Sequence, residues 1–492
     1  MAFVLGTGCV ALGSAGCSEE PAPVEEEKIL GVEETEVWTF GELTDPVYVV
    51  RTEHHVPHLY ATNREDLGFV LGFVTARDRY FMMDLSRRLG QGQISELLGD
   101  AALDIDQESR GTGITYVAQQ IHDAMPSDLA EYADAFAAGI NAYIEQVRQD
   151  ELSPPSELQL AQGILGVSNP TELMSEFDRL DVAAMIAVVL YNSSYETGDI
   201  GRSAATAALD DLFTGGEALA SLRRQGAIDD IYGDITPVRS ISSTGGFETS
   251  AKSGKPMSGP QLGGLATRVP ASVYARAVAR SEKQQRRLQR DREAGYGSNA
   301  WAVSGSHSAT GAGLMAGDGH LSLSVPSILY RFGLDTTLFG DGDIHQLGMS
   351  VPGLPVTAIG TNGKVAWSQT QLSADNTDWY LEQVQLDDEG RPVRSFFEGE
   401  WRLLEAIDEE YDIADVPLLE SVGRLETWTR WRTFDGRWLA EIEGRSASPD
   451  EVLAPGEALV NMRGEYIVPE DLDGDGVVTA MSFIYAGFYA SS

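Results

Sequence analysis

The residues best able to do chemistry lie in one stretch, from Gly295 to Tyr330. Gly297-Ser298-Asn299 opens a strand-like run, Ala300-Trp301-Ala302-Val303. A Gly-rich turn follows, and Asp318-Gly319-His320-Leu321 then leads into Pro326-Ser327-Ile328-Leu329-Tyr330. A hydroxyl and an imidazole in one short stretch are groups that acyl transfer uses. Taken alone, Gly-Ser-Asn reads as a turn before an edge strand. Two acidic loops suit other chemistry. Asp375-Asn376-Thr377-Asp378 sets two carboxylates around a carbonyl, which is either a donor set for a hard cation or a surface Asx turn. Asp471-Leu472-Asp473-Gly474-Asp475-Gly476 imitates the start of an EF-hand, but Ser482 stands where that loop needs Glu, and no helices flank it. It reads as a turn between Tyr466-Ile467-Val468 and Val477-Val478-Thr479.

The elements that must position these residues begin upstream. Pro46–Arg51 reads as a strand, followed by His55-Val56-Pro57-His58-Leu59-Tyr60-Ala61. Asn63 is a helix cap, with Asp66 in the first turn and Leu67, Val70, Leu71 and Val74 on one face. Arg77, Asp78, Arg79 and Arg88 read as a buried salt network that ties helices together. Leu129, Tyr132, Ala133, Phe136, Ala137, Ile140, Tyr143, Ile144 and Val147 recur at helical spacing, with Ser127 or Asp128 as the cap. Leu180–Ile186 starts another helix that leads to Tyr191 and Tyr195. From Gly233 the chain turns rich in Ser, Thr, Gly and Pro, and from Arg276 to Arg292 it is strongly basic and helix-prone. Asn362-Gly363 predicts a type I′ hairpin turn.

Composition narrows the function classes. The formal charge of −40 argues against nucleic acid or an anionic membrane surface as partner. At 492 residues the chain exceeds one ordinary core. Residues 1–17 are apolar and Gly-rich, and an acidic linker follows, as after a secretion signal. Ser14-Ala15-Gly16-Cys17 looks like a lipobox that would acylate Cys17, although Ser14 stands where Leu is usual; a plain signal peptide is the alternative. Cys9 and Cys17 are the chain's cysteines, so a mature chain that starts at Cys17 or later has no internal disulfide. Lipidation would tether the protein to a membrane without embedding it.

The junction Gly297-Ser298-Asn299-x-Trp301, with Asp318-Gly319-His320-Leu321 at the matching spacing, resembles the self-cleavage site of the penicillin acylase family of N-terminal-nucleophile hydrolases. Upstream, Val56-Pro57-His58-Leu59-Tyr60-Ala61, Met83-Asp84-Leu85 and Glu96-Leu97-Leu98-Gly99 match the family's opening; downstream, Asn362-Gly363-Lys364-Val365-Ala366-Trp367-Ser368 matches as well. The resemblance implies autocatalytic cleavage of Gly297-Ser298. Ser298 would then attack with its hydroxyl while its own α-amino group, with an unperturbed pKa near ~7.7–8.0, takes the proton through a water. His320 would hydrogen-bond Ser298 and orient it. The backbone N–H of Gln371 would be one oxyanion donor. Leu321, Ile359, Tyr191 and Tyr195 would line the acyl pocket; the alternative for the two tyrosines is packing under a loop. Asp375, the Thr377 carbonyl and Asp378 would hold a structural calcium, with Asp199 near a further ligand; no cofactor is needed for catalysis.

The fold so implied is α+β, a four-layer αββα sandwich wrapped by a helical α-subunit. Its divisions are 1–17 signal, 18–36 acidic linker, 37–232 α-subunit, 233–297 a spacer often trimmed away, and 298–492 the first part of the β-subunit. Family β-chains run further, so the sequence reads as part of a longer product, with a second oxyanion donor, an Asn, beyond Ser492. The expected activity is hydrolysis of linear N-acyl amides, acyl-homoserine lactones or β-lactam antibiotics, by an α/β heterodimer cut from one precursor. It would work in the periplasm or at the outer membrane, with a lipid as its membrane contact. The alternative is an inactive, truncated surface lipoprotein with a binding or structural role.

Overall fold

The structure, a computed structural model, describes residues 31–194, 199–201, 270–293, 297–321, 323–370, 377–471 and 474–485. Its first strands, β1 (Tyr48–Arg51) and β2 (Pro57–Tyr60), form a hairpin that turns Val49 and Leu59 inward. Helices follow: α1 (Arg64–Gln91), α2 (Ser95–Leu98), α3 (Asp100–Gly111), α4 (Ile114–Ala124), α5 (Ser127–Arg148), α6 (Ser156–Leu165), α7 (Arg179–Ser194) and, after a long interval, α8 (Ala271–Glu293). Asn63 caps α1 as expected, accepting the Asp66 backbone N–H at 2.8 Å. The Asp66 carboxylate in turn accepts the backbone N–H groups of Thr44 and Asp45 at 3.0 and 2.9 Å. That ties the incoming chain to the helix start. Leu67, Val70, Leu71 and Val74 are all buried.

Helix α5 departs from the sequence reading at its first turn. Pro126 occupies the cap position, and neither Ser127 nor Asp128 caps, because Ser127 is already helical. Leu129 is exposed and lies off the buried face; the other eight expected core residues are buried. Close approach sets the packing of α5 on α1. A Cβ on Gly139 would stand 1.8 Å from the Phe69 carbonyl oxygen, and one on Gly72 would stand 2.0 Å from that of Phe136. Glycine at both positions lets the two backbones touch.

The expected salt network holds only in part: Arg88 is buried in a cluster, but that cluster centres on Asp84, while Arg77, Asp78 and Arg79 are only partly buried, Arg77 pairing with Glu36 at 3.1 Å and Arg79 donating to the Asp78 carbonyl. Asp84 is buried and pairs with Arg87 at 2.7 Å and Arg88 at 3.0 Å. Arg87 continues to Asp181 on α7 at 3.2 Å, and Arg88 to Glu96 on α2 at 3.0 Å. Asp78 pairs with Arg51 at 2.8 Å and accepts from the Tyr330 hydroxyl, which joins the helical half to the strands after Ser298.

Past α8 the chain is mostly strand. The hairpin β3 (Gly297–Val303) and β4 (Leu314–His320) stands as its own two-stranded sheet. Strands β5 (Tyr330–Asp335), β6 (His345–Ser350), β7 (Ile359–Thr361) and β8 (Ala366–Trp367) join the first hairpin in a sheet ordered β1-β2-β5-β6-β7-β8, with β2 and β5 parallel. A second large sheet takes β9 (Thr377–Leu386), β10 (Pro392–Phe397), β11 (Glu400–Leu403), β12 (Glu405–Ile413), β13 (Arg424–Arg432) and β14 (Trp438–Ile442). After β15 (Gly444–Ser446), β16 (Val460–Met462) and β17 (Glu465–Pro469), which make a small sheet, β18 (Val477–Tyr485) completes the large one, ordered β11-β10-β9-β18-β14-β13-β12. Helices in the first half and sheets in the second make the fold α+β. One core joins α1 and α5 to β2 and β5 through Leu67, Phe73, Phe136, Leu59 and Phe332. Another joins α4 and α7 to the seven-stranded sheet through Val117, Ala184, Trp438 and Phe483. Among the described residues no helix is long and apolar enough to cross a membrane.

Two turns test the reading of loops. Asn362-Gly363 does not form a type I′ turn. The β7–β8 register pairs Thr361 with Ala366, Gly363 alone takes a positive φ, +79°, and the Asn362 side chain accepts the N–H groups of Lys364 and Val365 at 3.0 and 2.9 Å. Type I′ needs positive φ at both central residues, and the Asx bonds favour a longer turn. The loop at Asp471 is a turn as expected, its carboxylate accepting the N–H groups of Gly474 and Gly476 at 2.7 and 2.6 Å.

The α1–α5 contact gives a paired expectation. Gly139→Ala should destabilise by about 1–3 kcal/mol or more, since overpacking moves backbone. Gly163→Ala, where a Cβ on α6 meets nothing, should stabilise by up to about 1 kcal/mol from helix propensity. Urea-denaturation midpoints of the two variants check both signs.

Candidate active site

Strands β3 and β4 run antiparallel, with Gly297 opposite His320, Ser298 opposite Gly319 and Asn299 opposite Asp318. Residues directly opposite share a face, and successive residues alternate. Ser298 and Gly319 therefore belong to one face, and Asn299, Asp318 and His320 to the other. Gly297 is exposed and Ser298 partly buried.

On the second face, His320 Nε2 lies 3.1 Å from the Asn299 amide nitrogen and 3.0 Å from Asp318 Oδ2. A proton on Nε2 is donated to Asp318; without it, Nε2 accepts from the Asn299 amide. The sequence reading has His320 hydrogen-bonded to Ser298. In the structure it holds Asn299 and Asp318 instead, because the pleat sends the His320 and Ser298 side chains to opposite faces.

The Ser298 face looks onto the six-stranded sheet. A Cβ on Gly317 would stand 2.0 Å from the Ser368 hydroxyl and 3.8 Å from Ile359 Cγ2. One on Gly319 would stand 3.8 Å from Leu321 Cδ1. Gly317 is one same-face step from Gly319, roughly 6.6–6.8 Å along the strand. Leu321 and Ile359, both expected in the pocket, thus gather on the side of Ser298. The missing side chain at Gly317 makes room for the Ser368 hydroxyl, while Gly319 leaves its own position on that face without a side chain. Ser368 joins them; its hydroxyl oxygen is buried and makes no hydrogen bond among the described residues.

Other expected residues lie elsewhere. Tyr191 sits on α7 with its ring 6.4 Å from that of Tyr485, edge to face, in the core beneath the seven-stranded sheet. Helix α7 does reach the loop before Ile359, for a Cβ on Gly353 would stand 2.2 Å from Met185 Sδ. Tyr191 is six residues further on, roughly 9 Å along the helix. Tyr195, Gln371, Asp375 and Cys17 lie outside the described residues. Thr377 is buried and Asp378 exposed, as the pleat of β9 requires, while Asp199 is buried. Among the described residues no group of three or more His, Cys, Asp or Glu is placed to hold a metal ion.

Sequence reasoning missed Ser368 and the partners of His320. Asn299 and Asp318 were visible in the motifs, but only the strand register shows that they share a face with the imidazole. Nothing in the sequence marks Ser368 as a buried, unsatisfied hydroxyl.

A sequence profile described as penicillin amidase matches residues 46–454. The acyl-homoserine lactone acylase QuiP of Pseudomonas aeruginosa is 28% identical over 378 residues, 73% of this chain and 37% of that protein. The penicillin acylase 2 proenzyme of Pseudomonas sp. (strain SE83) is 28% identical over 76% of this chain and 43% of its own length. Penicillin G acylase of Escherichia coli is 23% identical over 80% of this chain and 45% of its own length. A solved structure of a thermostable penicillin G acylase from Alcaligenes faecalis aligns at 24% identity with a TM-score of 0.32, covering 38% of this chain and 90% of that one. The chain spans less than half the length of these curated relatives. With a profile match over most of its residues, the chain belongs to the penicillin amidase family.

Proposed function

We propose that this chain carries the nucleophile of an amide hydrolase that cuts itself at Gly297-Ser298 and then uses Ser298 as an N-terminal nucleophile. The observation that carries the reading is the Ser298 face of the β3–β4 ribbon. There a serine hydroxyl, preceded by glycine, shares one side of the ribbon with Leu321, Ile359 and Ser368 in a chain of this family.

Self-cleavage begins when Ser298 Oγ attacks the Gly297 carbonyl carbon. The peptide C–N bond breaks, an ester forms, and the nitrogen takes the hydroxyl proton. Water then hydrolyses the ester to leave a Gly297 carboxylate and a free Ser298 amine. In turnover that amine accepts the Ser298 hydroxyl proton through a water, and Oγ attacks the substrate amide carbonyl. The amine product leaves with a proton, and a second water releases the carboxylic acid from the acyl-enzyme. The Gln371 N–H would donate to the oxyanion. His320, held between Asn299 and Asp318, would steady the strand end beside the new amine once cleavage frees it.

The wider reading is a four-layer αββα sandwich, assembled as an α/β heterodimer from one precursor, with Cys17 lipidated and the enzyme facing the periplasm. The relatives' names point to acyl-homoserine lactones and penicillins as substrate classes. Leu321 and Ile359 are aliphatic walls, so a flexible alkyl chain should fit better than a phenylacetyl ring, at ~0.8 kcal/mol per buried methylene. The purified protein, assayed on a matched panel, should hydrolyse aliphatic N-acyl substrates with higher kcat/KM than penicillin G, and Ser298→Ala should be inactive on all of them. A preference for penicillin G over every fatty-acyl amide would refute the pocket reading; activity in Ser298→Ala would refute the nucleophile.

Calcium belongs to the same proposal, with Asp375, the Thr377 carbonyl, Asp378 and Asp199 as its ligands. The fit rests on donor chemistry: two Asp carboxylates and a backbone carbonyl within four residues at the start of β9 are the hard oxygens that such a cation takes. The expected result is a higher Tm when calcium is returned to chelator-treated protein. An unchanged Tm would remove the ion.

A further inference from the structure

Helix α8 is a basic segment in an acidic protein, and its first half is docked. Val273 and Ala277 are buried with Ile200 and Met481 in a small core, and the Tyr274 hydroxyl donates to the Ile200 carbonyl at 2.9 Å. Arg276 and Arg280, one turn apart, share the face that meets the sheets. Arg276 donates to Glu441 Oε2 at 3.0 Å and to the Ile442 carbonyl at 2.7 Å. Arg280 contacts the other Glu441 oxygen and donates to the Met462 carbonyl at 2.9 Å.

Glu441 is the reason this docking matters. It lies on β14, inside the seven-stranded sheet between β18 and β13, and has no solvent exposure. Its ion pairs among the described residues are both with α8. Burial lowers both guanidinium pKa values, that of Arg280 to about 10, so both cations persist at neutral pH. A buried carboxylate that loses its cations is strongly destabilising. Glu465 cannot replace them, since it is a second acid, 3.9 and 3.8 Å from the same two guanidinium groups.

We infer that the docked half of α8, residues 271–281, is a lasting part of the folded particle: cut free from Ser298, it stays seated non-covalently on Glu441. The inference rests on Gly297-Ser298 being the cleavage point, and it makes this half of the helix a bound subunit segment, not a discarded spacer. Removal would strand Glu441 and open the Val273–Ala277–Met481 core. Whatever is excised between the two chains lies outside 271–281.

Native and denaturing mass spectrometry of the purified protein tests this. Every processed particle should contain a polypeptide that covers 271–281, either as the end of the upstream chain or as a separate peptide. A native particle with a chain starting at Ser298 and nothing covering 271–281 overturns the inference. A protein that stays whole refutes the cleavage reading instead, and docking is then read from subtilisin digestion of the intact chain. There the Arg276→Met/Arg280→Met double variant should be cut within α8 at least about tenfold faster than wild type. Equal rates overturn it. If the double variant aggregates, adding Glu441→Gln should restore soluble protein by removing the stranded charge; failure of that rescue counts against the seat on Glu441.

Discussion

The backbone contact between α1 and α5 is the constraint from which the other placements follow. Gly72 and Gly139 let each helix press on the other's carbonyls, and Gly68 does the same against the Tyr132 ring. Helices that close cannot slide, so the part of α1 before its kink at Arg79 is fixed on α5. Gly90, whose Cβ would stand 2.6 Å from the Ala184 carbonyl oxygen, repeats the device against α7. Asp84 then secures the same helix electrostatically, through Arg87 to α7 and Arg88 to α2. Breaking a buried network of this kind by removing one partner typically costs about 3–5 kcal/mol, because it strands a buried charge.

From α1 the constraint passes to the strands. Asp78 holds Arg51 at the end of β1 and the Tyr330 hydroxyl at the start of β5. Burial and the nearby Asp78 carboxylate raise the Tyr330 pKa well above the ordinary phenol value, so the hydroxyl stays a donor at any working pH. Tyr330 anchors the far end of the segment that leaves the β3–β4 ribbon at His320. The ribbon's other approach is against Ser368 and Ile359. Ser298 is thus carried on a lightly supported ribbon, which other elements meet at Gly317 and beyond Tyr330.

Much of this was legible in the residues. The Asn63 cap and the apolar faces of α1 and α5 follow from spacing and burial logic, and of the predicted charged set Arg88 does lie in a buried cluster, although its partner Asp84 was not foreseen. The Ser298 and His320 motifs stood out as chemistry in short compass. Several features were not legible, for physical reasons. Which side chains share a face of the ribbon depends on register, and a one-residue slip would reverse it. The turn at Asn362 was decided by competition between its own side chain and a type I′ geometry, which a dipeptide rule does not weigh. Leu129 matched the helical period yet fell on the outer edge of the stripe. The pairing of Arg276 and Arg280 with Glu441 spans most of the second half of the chain, and composition alone showed only that the segment was basic.

The central claim concerns one peptide bond, and end-group analysis reaches it most directly. Freshly expressed wild-type protein and its Ser298→Ala variant would be followed over time by N-terminal sequencing and denaturing mass spectrometry. Expected is a new chain beginning Ser298-Asn299-Ala300-Trp301 in the wild type and an intact chain in the variant. A wild-type protein that hydrolyses amides while the Gly297-Ser298 bond stays whole would contradict the N-terminal-nucleophile mechanism.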